Sequence, residues 1–293
     1  MRRRALTNRF ELLDVFLLVV LTLWMLIIAI PFINVIVVSF TTQKEYLETP
    51  LLLFPKSPPL DSYRALIKDG RIWGGYRTTL TIVGLGVPLN LFLTTSMAYA
   101  LSRRYFPGKK ILFTLILFTM LFNGGIIPLY LVVKKLNLTN KIWSVVFSYG
   151  INTFYMIIMM NYFKTLPESL MESARLDGAG EWTILFRIVL PLSAPIIATI
   201  TLFYSVDRWN EWFYAMIFIR DKGMAPLQLV LRSIVMDAAV LDAASSTVDV
   251  GETAFTNGIK MAAVLATMLP IMCVFPFLQK HFAKGVMIGA IKA

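Results

Sequence analysis

The sequence predicts an all-α polytopic membrane protein with about six transmembrane helices. Three observations predict it. Of the 293 residues, 57% are hydrophobic and only 15% charged, and mean hydropathy is +0.70, whereas about a quarter of a soluble domain is charged. The apolar residues gather into runs at residues 15–38, 78–101, 111–133, 142–163, 192–219 and 261–278. Each run is long enough to cross about 30 Å of hydrocarbon at about 1.5 Å per helical residue. The runs are continuous, where a barrel strand would be about ten residues of alternating character.

The first run carries Pro31, which predicts a kink. With its flanks it covers residues 12–40, far more than the roughly 7–15-residue core of a signal peptide, so it reads as a retained anchor. Residues 1–11 form a basic arm, and residues 12–293 are expected to be a single transmembrane domain. The connection after the first run is proline-rich (Pro50, Pro55, Pro58, Pro59) and reads as ordered irregular structure. The third run holds Asn123, Gly124, Gly125 and Pro128 within one apolar helix. A packing kink is favoured there over a broken helix lining a path.

The fifth run is the most polar. Asp207, Arg208, Asn210 and Glu211 lie among Trp209, Trp212 and Tyr214. A charge at membrane depth is costly unless it is paired or faces water. If the segment is helical, Asp207 and Glu211 share a face and Arg208 pairs with either. Two readings stand equal: a polar, aromatic path for a hydroxylated solute through residues 207–212, or an interhelical ion-pair cluster that locks the bundle. A long connection follows at residues 220–260, with a helix expected at 227–240 on the outer side and a small, polar stretch at 242–258.

The net charge of +11, from 28 Lys and Arg against 17 Asp and Glu, belongs to topology rather than to nucleic acid, because no basic run is interleaved with aromatics. Arg2, Arg3, Arg4 and Arg9 precede the first run, and Arg103, Arg104, Lys109 and Lys110 crowd the very short second connection. By the positive-inside rule this side is cytoplasmic. Both termini, the tail at residues 279–293 and the connection at residues 165–190 fall on that side. The single cysteine, Cys273, excludes an intrachain disulfide. The single histidine, His281, leaves no zinc site and no credible Ser-His-Asp triad.

Between the fourth and fifth runs the chain reads ESARLDGAGEWTILFRIVLP, from Glu172 to Pro191. Pro167 suits a first helical turn. The helix expected from Glu168 to Asp177 covers only about 15 Å, too short to cross a bilayer. Leu170, Met171, Ala174 and Arg175 share one face by their spacing. Gly178 suits a left-handed helix end, and Gly180 allows a second bend before another short helix from Glu181. This makes a knob of mixed polarity suited to a groove on a cytoplasmic partner. Its acids, Glu168, Glu172, Asp177 and Glu181, suit lipid headgroups poorly.

The stretch resembles the cytoplasmic loop of bacterial ATP-binding-cassette (ABC) import permeases, of the form E-A-A-x3-G-x9-I-x-L-P. Glu172, Ala174, Gly178, Ile188, Leu190 and Pro191 fall in register, and Ser173 stands where the pattern has alanine. IPLYLVVKKLNLTNKIWSVV, NYFKTLPESLMESA and the tail HFAKGVMIGAIKA are similar to the carbohydrate-importing branch related to the maltose permease. The form IIPLYLVVKKLNLTN is similar to the group handling complex oligosaccharides.

The resemblance implies a carbohydrate permease in the bacterial cytoplasmic (inner) membrane. Its short loop helix is a coupling helix seated in an ATPase cleft, with Glu172, Ser173, Ala174, Asp177, Gly178, Ile188, Leu190 and Pro191 as coupling residues. It further implies a heterodimer with a second homologous permease, two ATPase subunits, and an extracellular or periplasmic sugar-binding protein. No G-x-x-x-x-G-K-[ST] pattern occurs in the chain, so ATP and Mg are expected on the ATPase subunits and no cofactor on this chain. Secondary transport gives the loop register no role and shows no convincing inverted repeat. A scaffold protein explains neither the loop nor the polar fifth run.

Overall fold

A computed structural model describes residues 12–49, 54–55, 58–245 and 255–290. The basic arm with Arg2, Arg3, Arg4 and Arg9, together with Pro50 and residues 246–254 and 291–293, lies outside the described residues. The side chains of the expected tail, His281 included, lie outside them too.

The described residues are helices joined by turns. They form two compact units, Met1–Asp69 with Ile234–Ala266, and Gly70–Ser233 with Thr267–Ala293. In the first unit, α1 (Leu12–Ser39) is apolar, carries Pro31 and exposes most of its side chains. A helix that is apolar on every side belongs in lipid or against another membrane helix. Two short helices follow, α2 (Gln43–Glu48) and α3 (Asp61–Lys68). Thr42 caps α2 by accepting from the Glu45 N–H at 3.4 Å.

The second unit is built on α4 (Arg71–Ser102), which continues unbroken through Pro88. After it come α5 (Lys109–Leu121), α6 (Ile126–Lys135), α7 (Ile142–Ser148), α8 (Thr153–Lys164) and α9 (Glu168–Leu176). A short α10 (Glu181–Ile184) runs through a π turn (Leu185–Val189) into α11 (Leu190–Leu192). Then come α12 (Ala194–Trp209) and α13 (Phe213–Phe218). Two last helices, α14 (Leu227–Ser245) and α15 (Thr256–Ala290), contribute residues to both units. The core joins α4, α8 and α12 through Ala98, Met156, Met159, Phe163, Ile200 and Tyr204, all fully buried.

Among the described residues three helices are long and apolar enough to cross a membrane, and the number rises to six if each of three bent pairs is one span. The expected continuity of the third and fourth runs fails at bends, and that of the fifth fails at residues 210–212, between the helices Ala194–Trp209 and Phe213–Phe218. α5 and α6 meet at 114°, α7 and α8 at 54°, and Glu181–Leu192 meets α12 at 88°. The third run is therefore a sharp turn, not one kinked helix. Gly125 adopts φ +90 there, and its N–H donates to Asn123 Oδ1 at 2.9 Å. The next helix begins at Ala194, after Pro191 rather than at it. The expected outer helix at 227–240 is α14, and the last run starts earlier than expected, at Thr256.

Candidate functional site

Two groups of residues stand out, one in the loop after α8 and one where the spans break.

In the loop, α9 ends one residue before the expected Asp177, which is its C-cap. Gly178 takes φ +82, the left-handed conformation open to glycine. Its N–H donates to Arg175 O at 3.0 Å, and the Ala179 N–H donates to Ala174 O at 2.9 Å. Those two bonds are a Schellman ending, which satisfies the last carbonyls of a helix. Gly180 is extended, with φ −72, and serves as the N-cap of α10. The chain thus reverses within a few residues and returns to the core.

That return makes the loop stiff. Met171 is buried at 3% exposure, and Ala174 and Ala179 pack on the same core as Ile184, Leu185 and Val189. Burying a methionine contributes about 1.5–3 kcal/mol. Arg103, from the second connection, donates to Met171 Sδ and lies over the Tyr99 ring at 4.6 Å. Arg175 Nε meets Glu181 Oε1 at 2.8 Å, and the Tyr99 hydroxyl donates to Glu181 Oε2 at 2.5 Å. The bound Arg175 guanidinium holds the Glu181 carboxyl below its ordinary range.

Of the face expected to be shared, Met171 and Ala174 turn inward, Leu170 stays 46% exposed, and Arg175 turns to Glu181. Outward the loop presents Glu172, Ser173, Asp177, Gly178 and Leu176, the last at 89% exposure. Ile188 and Leu190 are half-buried and Pro191 is exposed. Sequence reasoning missed Tyr99, Arg103 and the bracing role of Glu181. Only the closeness of arginines to the end of an apolar run hinted at the second of these.

In the second group, Arg208 is 1% exposed. Its Nε donates to Asn90 Oδ1 at 2.9 Å, Nη1 to Val145 O at 3.0 Å, and Nη2 to Val146 O at 2.7 Å and Tyr149 O at 2.8 Å. The expected pairing with Asp207 or Glu211 is not what it makes. The reason lies in α7, which ends mid-run and leaves its last carbonyls without helical donors. A buried cation at a helix C-terminus answers both that deficit and the helix dipole. Asn90 Nδ2 adds bonds to Tyr149 O at 2.5 Å and Gly150 O at 2.7 Å. Gly86 makes room for the guanidinium, since a Cβ there would sit 2.7 Å from Arg208 Nε.

The carboxylates do different work. Asp207 Oδ2 accepts from the hydroxyls of Tyr149 at 2.7 Å and Tyr155 at 3.0 Å. α12 stops at Trp209, so Glu211 does not continue the expected shared face. Instead it accepts from the Tyr214 N–H at 2.8 Å and caps the start of α13. Trp209 is buried, with Nε1 donating to Thr267 O at 3.3 Å and its ring 6.2 Å from that of Tyr76. Asn210 is exposed and accepts from Gln228 Nε2 at 3.3 Å. Trp212 is 38% exposed. A pocket of about 270 Å³ is lined by Tyr149, Asp207, Asn210, Glu211, Trp212 and Tyr214 among others. Sequence reasoning missed Asn90, Tyr149, Asn152 and Tyr155, although Gly150 and Asn152 inside an apolar run were readable as helix breakers.

Paired half-helices around a polar cluster, with a braced helix held out on a loop, fit the class of polytopic membrane transport subunits. The chain matches the family of binding-protein-dependent transport system inner membrane components over residues 71–288, and it belongs to that family. It is similar to the polygalacturonan/rhamnogalacturonan transport system permease protein YtcP of Bacillus subtilis (strain 168), with 40% identity over 96% of this chain and 99% of the relative. Protein LplC of the same organism is 41% identical over 90% of this chain and 89% of the relative. Among solved structures, a bacterial ABC transporter involved in the import of the acidic polysaccharide alginate contains a chain that is 28% identical, with a TM-score of 0.84 over 96% of this chain and 100% of that one. The family is one of non-catalytic permease subunits of ABC importers, and this chain is one of them.

Proposed function

We propose that this chain is one of two transmembrane subunits through which an ABC importer moves an acidic, uronate-bearing oligosaccharide into the bacterial cytoplasm. A second homologous permease completes the path. Two ATPase subunits bind ATP and Mg, and an extracellular or periplasmic binding protein delivers the sugar. The names of the relatives support the cargo class.

The observation that carries the reading is the form of the loop. α9 is too short to span, is closed by Gly178 and is braced against the core, yet it presents Leu176, Glu172 and Asp177 outward. A stiff knob transmits displacement where a flexible loop would absorb it. α9 is the coupling helix on the cytoplasmic side, Glu172, Ser173, Ala174, Asp177 and Gly178 form or shape its contact, and Ile188, Leu190 and Pro191 fix the return to the core. Both termini lie on the same side. At the other group, Asp207, Asn210 and Trp212 border the solute path, while Arg208, Trp209 and Glu211 hold its wall in shape.

The test is sugar-stimulated ATP hydrolysis by the purified full complex with its binding protein. Gly178→Trp forces a bulky side chain into a left-handed turn at the contact, and stimulation is expected to vanish while the complex still assembles. Stimulation at the unaltered rate would refute the coupling role.

A further inference from the structure

Asp207 and Arg208 lie in the last turn of α12, Glu211 in the break before α13, and Arg232, on α14, lies against Trp212 in that break. Two of these charges are engaged by the backbone, Arg208 by the carbonyls that end α7 and Glu211 by the amide that starts α13. Two remain for a solute. Asp207 lines the pocket, and its partners among the described residues are the hydroxyls of Tyr149 and Tyr155. Arg232 is exposed, makes no ion pair among the described residues, and has its guanidinium carbon 4.7 Å from the centroid of the Trp212 ring.

We propose that Trp212 and Arg232 form a uronate-reading subsite at the mouth of this pocket. The inference rests on the saccharide-permease reading and adds the residues that recognise the acid. The part of the indole left exposed offers an apolar surface to the C–H face of a pyranose ring. A cation–π contact leaves guanidinium N–H donors for a carboxylate, which an arginine grips in bidentate fashion. Asp207 supplies the opposite chemistry. It accepts from sugar hydroxyls and repels a second carboxylate, so the acidic edge of the ring is directed to Arg232 and the hydroxyl edge to Asp207 and Asn210. A neutral sugar would gain the stacking and hydroxyl contacts but not the orientation. The competing role for the pair is packing, in which Arg232 merely covers Trp212.

The two roles separate in a binding experiment on the assembled complex in nanodiscs, without the binding protein, whose own specificity is thereby bypassed. The probes are trigalacturonate and its fully methyl-esterified form, which share a ring skeleton and differ in charge. The wild type is expected to prefer the acid. Arg232→Gln should lower that preference about tenfold, the size of one charge-assisted contact of about 1.4 kcal/mol, and leave ester binding unchanged. Arg232→Lys should retain part of the preference, and Trp212→Ala should weaken both probes. An unchanged acid-to-ester ratio in Arg232→Gln, equal loss of both probes, or no preference in the wild type overturns the subsite. If the glutamine variant fails to assemble, the lysine variant decides, since an undiminished preference there denies the bidentate contact. Sugar-stimulated ATP hydrolysis by the wild type is measured alongside. With the binding protein restored, its absence sinks the uronate-importer reading, whereas its presence with an unmoved ratio sinks only the subsite.

Discussion

The loop from Glu168 to Pro191 and the cluster around Arg208 use the same residue types to opposite ends. In the loop, Arg175 and Glu181 pair in solvent, at 38% and 54% side-chain exposure. In the cluster, Arg208 is buried and satisfied wholly by neutral oxygens, and Glu211 by an amide. The exposed pair shapes a surface that another protein is expected to meet. The buried groups satisfy the ends of helices that stop within the core, where a backbone group without a partner is costly. A charge is therefore replaceable in the first setting and structural in the second.

The contrast sets an order of effects. Arg208→Met removes the donors of Asn90 Oδ1, Val145 O and Val146 O and one donor of Tyr149 O, and each buried acceptor left unpaired costs about 1–3 kcal/mol. The variant complex should lose most of its thermal stability in detergent. A midpoint within a degree or two of wild type, about a fraction of a kcal/mol for a chain of this size, would deny the helix-capping role. Gly86→Ala comes next. Its Cβ would displace the same guanidinium, an overpacking cost of about 1–3 kcal/mol, and the midpoint should fall by less than with Arg208→Met.

The smallest effect belongs to Glu181→Gln. An exposed pair contributes at most about 1 kcal/mol. Arg175 lowers the folded carboxyl pKa below its ordinary value of 4.5. The contribution is therefore fully present above the unfolded pKa and is lost as pH falls through the depressed folded one. The stability gap between wild type and Glu181→Gln should close on acidification and shrink in high salt. A gap independent of pH would assign the effect to packing.

Much of this was legible in the sequence and some was not, for physical reasons. The apolar runs revealed a helical, polytopic membrane protein because hydrophobic length is a one-dimensional property. The shape of the loop was legible because the short helix and the left-handed Gly178 that closes it are set by local sequence. The breaks were not. Tyr149–Gly150–Ile151–Asn152 looks like a minor interruption in an apolar run, and only tertiary contact shows that Asn90 and Arg208 meet the carbonyls it frees. The pairing expected of Arg208 with Asp207 or Glu211 failed for the same reason. Arg208 turns instead to backbone groups 59 to 63 positions away, which the chain alone does not reveal.

Site-specific photocrosslinking of the intact complex tests the central claim most directly. A benzophenone side chain in place of Leu176, 89% exposed at the end of α9, should give an adduct with an ATPase subunit. The same group in place of Leu136, 62% exposed beyond α6 on the side read as external, should give none. Absence of the Leu176 adduct, or an equal ATPase adduct from Leu136, would contradict both the docking of the loop and the orientation of the chain.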